Sequence, residues 1–247
     1  MFNTLSQPKP ILLIVVTCFF MMVSCQKKAT LTFSETLMTK DKETLVEVII
    51  PKANGTSRIA KNINNTLAGF TCDILNIDSA KSKKGTIEAS IEAFNEAYNN
   101  FNKTLANEFD TVLPRWEAFI DGEVSYQNET LVSIAMNGNI NTGSPSSTLK
   151  TKFFNFDLAD GKSLSTEDMV NDMNAFKALV KKYYDKELLT TYTSLNDNAN
   201  TFKLPETIGF NEDGIIIIYN KDAFGQLNQN IIEFTLPFAV VDPYLNY

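Results

Sequence analysis

Lys152–Val170 reads KFFNFDLADGKSLSTEDMV, and this one short run passes from strand to turn to helix. Phe154, Phe156 and Leu158 alternate with Phe153, Asn155 and Asp157, the period-two pattern of a residue set in a sheet. Asp160-Gly161 ends the strand, because glycine accepts the positive φ of a tight turn without a Cβ penalty. Ser165 then stands as a helix N-cap with Asp168 three residues on, the spacing of a capping box. The fold follows from what lies on either side.

Upstream, Thr30–Leu37 and Leu45–Ile50 read as two strands around a turn at Thr39-Lys40-Asp41-Lys42, the second ended by Pro51, Asn54 and Gly55. Ile59, Ile63, Leu67, Phe70, Ile74 and Ile77 recur at helical spacing and predict a helix near 57–77. Ser79–Gly85 is a polar connection. Ile87, Ile91, Phe94, Tyr98, Phe101 and Leu105 predict a second helix near 87–108, with a narrow apolar stripe. After Pro114, strands through Trp116–Tyr126 and Val132–Ile140 lead into the Phe154 strand, a three-stranded meander with a polar loop at 139–148.

Downstream, a helix is expected near 166–190, with Asn171–Asn174 as its point of division. A polar loop at 194–201 precedes a hairpin through Asn211-Glu212-Asp213-Gly214. Ile215–Ile218 is apolar without alternation, so both faces of that strand are expected to be covered. Ile231–Leu236 is a last strand, stopped by Pro237. The class is α+β: antiparallel sheets packed against long helices, in two consecutive subdomains, 30–112 and 113–247.

Composition removes much chemistry. The sequence of 247 residues contains no histidine, which excludes His-based nucleophile systems and His-ligated zinc or haem. Its net charge of −7 lacks the basic footprint of a nucleic-acid binder and suits a basic protein partner. Of three cysteines, Cys18 and Cys25 fall in the first segment, so Cys72 has no partner for an internal disulfide. Cys72 reads as a small buried apolar residue of a helix; the alternative is a reactive thiol. No ligand cluster, nucleotide loop or nucleophile elbow is present, so no cofactor and no metal are expected.

Ile11–Val23 is an apolar run shorter than the ~20 residues of a membrane-spanning helix, with Lys9 ahead of it. It ends in Met22-Val23-Ser24-Cys25, which resembles a relaxed bacterial lipobox. That resemblance implies a signal peptide over 1–24, lipid on Cys25 and a short linker over 25–29. Lys9 is the one charged side chain ahead of Cys25, so cleavage takes the net charge from −7 to −8. Gln26-Lys27-Lys28 replaces the acidic run of some surface-exposed lipoproteins, which points to a periplasm-facing anchor in the cell envelope.

The order FFNFDLADGKSLSTEDMV, FKALVKKYYDKELL, IGFNEDGIIIIYN, IIEFTLPF resembles an extracytoplasmic family. It is shared by the ectodomain of the lysozyme-sensing anti-sigma factor RsiV and the non-catalytic N-terminal part of PdaC-type peptidoglycan deacetylases. The likeness covers about 115–245, and 30–110 resembles the domain found ahead of it. It implies a lipid-anchored, non-enzymatic binding module for lysozyme or a cell-wall-related ligand. Relatives often carry a Gly-Gly-x-His-like run where this chain has Thr142-Gly143-Ser144-Pro145. Only ten residues precede the apolar run, so no sigma-binding segment is expected.

Two other functions compete with the binding module. Asp157, Asp160, Glu167 and Asp168 cluster in sequence and could serve glycoside hydrolysis as a carboxylate pair; the other reading makes them turn and cap residues. An envelope scaffold is the third. Facing carboxylates in a cleft would mark the enzyme, whereas a convex or flat acidic face with exposed aromatics would mark protein binding.

Overall fold

The computed structural model describes residues 31–77, 85–106, 114–143, 148–191, 202–220 and 231–247. Leu31–Tyr247 form one compact unit. Cys25 and the 194–201 loop lie outside the described residues, as do 144–147 of the expected 139–148 loop.

Strand β1 (Phe33–Asp41) pairs antiparallel with β2 (Leu45–Ala53), from Phe33↔Ala53 to Asp41↔Leu45. The turn falls at Lys42–Glu43–Thr44, three residues beyond the start of the expected one. Thr44 is buried and donates its hydroxyl to Asn95 Oδ1, which fixes the turn there. Pro51 lies inside β2 rather than ending it. The ladder to the next strand stops at Ile49, two residues earlier, so the missing N–H costs nothing on that side.

Helix α1 (Arg58–Leu75) starts at the N-cap Ser57, whose hydroxyl accepts from Ala60 N. Asn64 accepts from Ala53 N and donates to Ala53 O, pinning the helix to the end of β2. Helix α2 (Ile87–Ala106) buries Ile87, Ile91, Phe94 and Tyr98. The stripe then lifts away: Phe101 is 42% exposed, although its ring stacks 5.3 Å from Trp116.

Strands β3 (Glu117–Gln127), β4 (Leu131–Asn141) and β5 (Thr148–Asp157) form the expected meander. One pairing was not expected: β2 and β3 run parallel, Leu45↔Glu117 to Ile49↔Asp121. Parallel neighbours need a long crossover, and the two-helix segment between them supplies it. With the two-residue β6 (Ser163–Leu164) the result is one mixed six-stranded sheet, in order β1 to β6, continuous across residue 112. Both helices lie on one face of it, over Val46, Val48, Ala118, Ile120, Ile134 and Met136. Burying each such aliphatic side chain contributes about 1.5–3 kcal/mol.

The 152–170 run folds as its residues indicate. Gly161 takes φ +76°, and a Cβ there would meet Ile59 Cα at 2.8 Å, so no other residue fits. Ser165 and Asp168 form a full capping box on α3 (Thr166–Met169). The expected division is sharp. Val170 leaves the helix to bridge Leu245, and Asp172 Oδ1 accepts from Asn174 N and Ala175 N to start α4 (Met173–Thr191).

A second sheet holds β7 (Ile208–Phe210), β8 (Gly214–Tyr219) and β9 (Ile232–Pro237), all antiparallel. The short helix α5 (Phe238–Val241) follows. This sheet builds a second core with α3 and α4 from Leu131, Met169, Phe176, Val180, Ile215 and Ile217. Ile216 and Ile218 are only half-buried, so one face of β8 is fully covered, not both.

The small sheet docks by its edge. β7 is an edge strand with backbone groups to satisfy. Buried Ser133 Oγ accepts from Phe210 N at 3.1 Å, and buried Asn155 Nδ2 donates to Ile208 O at 2.8 Å. Thr207 Oγ1 accepts from Phe153 N. Ser133 of β4 and Asn155 of β5 thus stand in for the missing neighbour strand, and Thr207 serves the β5 backbone in return.

Candidate functional site

The four carboxylates singled out in the sequence do gather around the capping box, and three of them are occupied there. Asp157 ends β5, accepts from Ala159 N through Oδ1, and faces the Tyr247 hydroxyl at 3.4 Å through Oδ2. Asp160 accepts from Lys162 N within the turn. Asp168 accepts from Lys162 Nζ at 2.6 Å and from Ser165 N and Oγ, both at 2.9 Å. The Lys162 and Ser165 hydrogen bonds hold the Asp168 carboxyl down to about 2. Lys162 is raised in return by the same carboxylate. Glu167 is exposed on α3. Glycoside cleavage needs one carboxylic acid that keeps its proton near neutral pH, and Asp168 is the reverse of that. Asp157 and Asp160 thus serve the turn, and Asp168 the helix cap.

The other face of the large sheet is where the structure adds something. Strand alternation places two residue sets there. Over β4 and β5, Ser133, Phe153 and Asn155 are covered by β7. Over β1, β2 and β3, the face stays open among the described residues. Leu37 and Ile49 are directly paired across β1 and β2, and they are 68% and 40% exposed. Leu45 and Phe119 on the same face are half-buried. One exposed leucine means little, but a leucine and an isoleucine paired across two strands make a patch.

The patch has one sign of charge. Glu35, Glu47, Glu117, Asp121 and Glu123 fall on this face by register, and Asn137 Nδ2 donates to Asp121 across the strands. Lys40, Lys150 and Lys152 do not share it. Asp41 at the rim is paired with Arg115 at 2.6 Å. The strand lysines Lys40, Lys150 and Lys152 belong to the opposite, helix-covered face, while Lys52 is exposed between buried Pro51 and Ala53. Lys40 there meets Glu92 of α2.

Sequence reading did not pick out this patch. The signal present is Ile49, which breaks the Val46–Val48–Ile50 alternation by putting an aliphatic group on the acidic side. Which face stays open depends on where α1, α2 and β7 pack. Cys72 is half-buried on α1, not fully buried, and its thiol lies 3.6 Å from Gly85 O. Among the described residues no group of three or more Cys, Asp or Glu could hold a metal ion. No helix among them is long and apolar enough to cross a membrane.

Comparison with known proteins agrees with the fold. Residues 38–144 match the family model described as deacetylase PdaC, a span that runs through the β2–β3 pairing into β4. Residues 162–239 match the family described as a protein of unknown function, DUF3298. A crystal structure of a DUF3298 member from Bacteroides fragilis superposes with a TM-score of 0.63 at 14% identity, over 88% of this chain and 94% of that one. A DUF3298 protein from Pseudomonas aeruginosa gives 0.56 at 16% identity, over 88% and 93%. No curated protein matches the chain. The chain thus resembles PdaC-type and DUF3298 domains over these two spans, and the two solved neighbours share its fold.

Proposed function

We propose that this protein is a lipid-anchored, non-enzymatic binding module of the cell envelope, and that it docks a basic protein on the open face of β1–β3. The observation that carries this reading is the exposed Leu37–Ile49 pair set among carboxylates of the same face, with Arg115 already tied to Asp41 at its rim. The apolar pair supplies area to desolvate, and the surrounding charge selects a cationic partner and speeds encounter. A basic lysozyme has the right charge, and the resemblance to a lysozyme-sensing ectodomain points the same way. A cell-wall component with cationic groups is a weaker fit to a flat face. Cys25 carries the lipid that holds the module at the membrane, facing the periplasm.

Both cores lie wholly within Leu31–Tyr247, so a chain starting at Gln26 retains what holds the fold. The test titrates that chain against a basic lysozyme at low and at physiological salt. Binding that survives physiological salt and is lost in Leu37→Asp or Ile49→Asp supports the docking face. Binding confined to low salt is bulk charge attraction and overturns it.

A further inference from the structure

A groove of about 500 Å³ opens between α1 and strands β4 and β5, on the helix side of the sheet and away from the acidic face. That volume lies within the range of small-molecule sites, ~300–1,000 Å³. Phe70 and Ile74 of α1 and Phe154 of β5 make its apolar walls, and the Phe70 and Phe154 rings meet edge-on at 5.6 Å.

Two glycines line it for different reasons. Gly138 is needed for packing, because a Cβ there would meet Ile74 at 2.7 Å. Gly69 is not, since a Cβ there would meet nothing within 4 Å. Yet Gly69 sits in the interior of α1, where glycine costs about 1 kcal/mol relative to alanine. Neither packing nor a turn explains that cost. Its effect is to keep the groove open.

The inward row of β5 reads Phe156, Phe154, Lys152, Lys150, so two lysines continue an apolar row on a face that a helix covers. Lys152 is held by Glu206 and lies 5.7 Å over the Phe154 ring. Lys150 is half-buried and makes no ion pair among the described residues. Asp73 also lines the groove, which limits the charge a ligand can bring.

We propose that this groove binds a small anionic amphiphile, its apolar body lodged beside Gly69 between Phe70, Ile74 and Phe154, and its single carboxylate, sulfonate or phosphate on Lys150. The site is independent of the docking face and stands or falls separately.

The test uses the chain from Gln26 and two fluorescent probes with one ring system: anilinonaphthalene sulfonate, and N-phenyl-naphthylamine, which lacks the anion. The sulfonate should bind saturably, with the neutral probe weaker by about ten-fold, the worth of one charge-assisted hydrogen bond. Lys150→Gln should erase that difference. Gly69→Leu should abolish binding of both while raising thermal stability, because leucine is the better helix former. Equal binding of the two probes to the unmutated chain, or sulfonate binding unchanged in Gly69→Leu, overturns the proposal. Lys150→Gln sits at a half-exposed position, so it reads out the anion contact whether or not Gly69→Leu folds.

Discussion

Ser133→Ala tests the joint between the two sheets. Ser133 is fully buried on β4, and its hydroxyl accepts the Phe210 backbone N–H at 3.1 Å. Alanine is nearly the same size, so the cavity left is small. What changes is the Phe210 N–H, which loses its acceptor in a place water does not reach. Leaving a buried donor unpaired costs about 1–3 kcal/mol. In a domain of this size each kcal/mol lowers Tm by roughly 2–4 °C, so the expected fall is about 2–12 °C. Urea unfolding should show a lower midpoint with an unchanged slope. Amide exchange at Phe210 should quicken more than exchange within α1. Ser125→Ala is the control, since that half-buried hydroxyl donates only to the Ser133 carbonyl. An unchanged midpoint in Ser133→Ala would refute the idea that β4 and β5 side chains satisfy the β7 edge.

Ser165→Ala should cost about 1 kcal/mol, the usual loss for an N-cap hydroxyl, read from the denaturation midpoint. Asp168 is held at about 2 in the folded chain, below its ordinary 3.8, so it stabilises the fold above that ordinary value. The contribution should fade as pH drops from about 4 to about 2, and Asp168→Asn should flatten the stability profile across that window. NMR titration should place the Asp168 carboxyl near 2 and show it rising in Lys162→Met, whose hydrogen bond is the largest cause of the shift. Cys25→Ala should abolish fatty-acid labelling and release the protein from the membrane fraction; persistent labelling would disprove the anchor.

Most of the local structure was legible in the residues. The stripe from Ile59 to Ile74 and the Ser57 cap define α1, and Asp160-Gly161 with Ser165 and Asp168 specify turn, cap and helix, because these interactions reach only a few residues along the chain. The capping carboxylates were legible as such too, since a turn or cap partner sits within three residues. The turn expected at Thr39–Lys42 falls instead at Lys42–Thr44, because Asn95, far along the chain, fixes it there.

Composition and local pattern by themselves determined the α+β class, the absence of histidine chemistry, the meander and the α3–α4 break. Tertiary structure alone decided that β2 runs parallel to β3, that Ser133 and Asn155 serve the edge of β7, and that Leu37 and Ile49 face outward together. The physical reason is that a strand's apolar residues reveal its two faces but not which layer will cover each. Val46 and Ile49 are equally apolar in the sequence; α1 and α2 cover the first, and no described element fully covers the second. The candidate site is therefore defined by what the other elements leave bare.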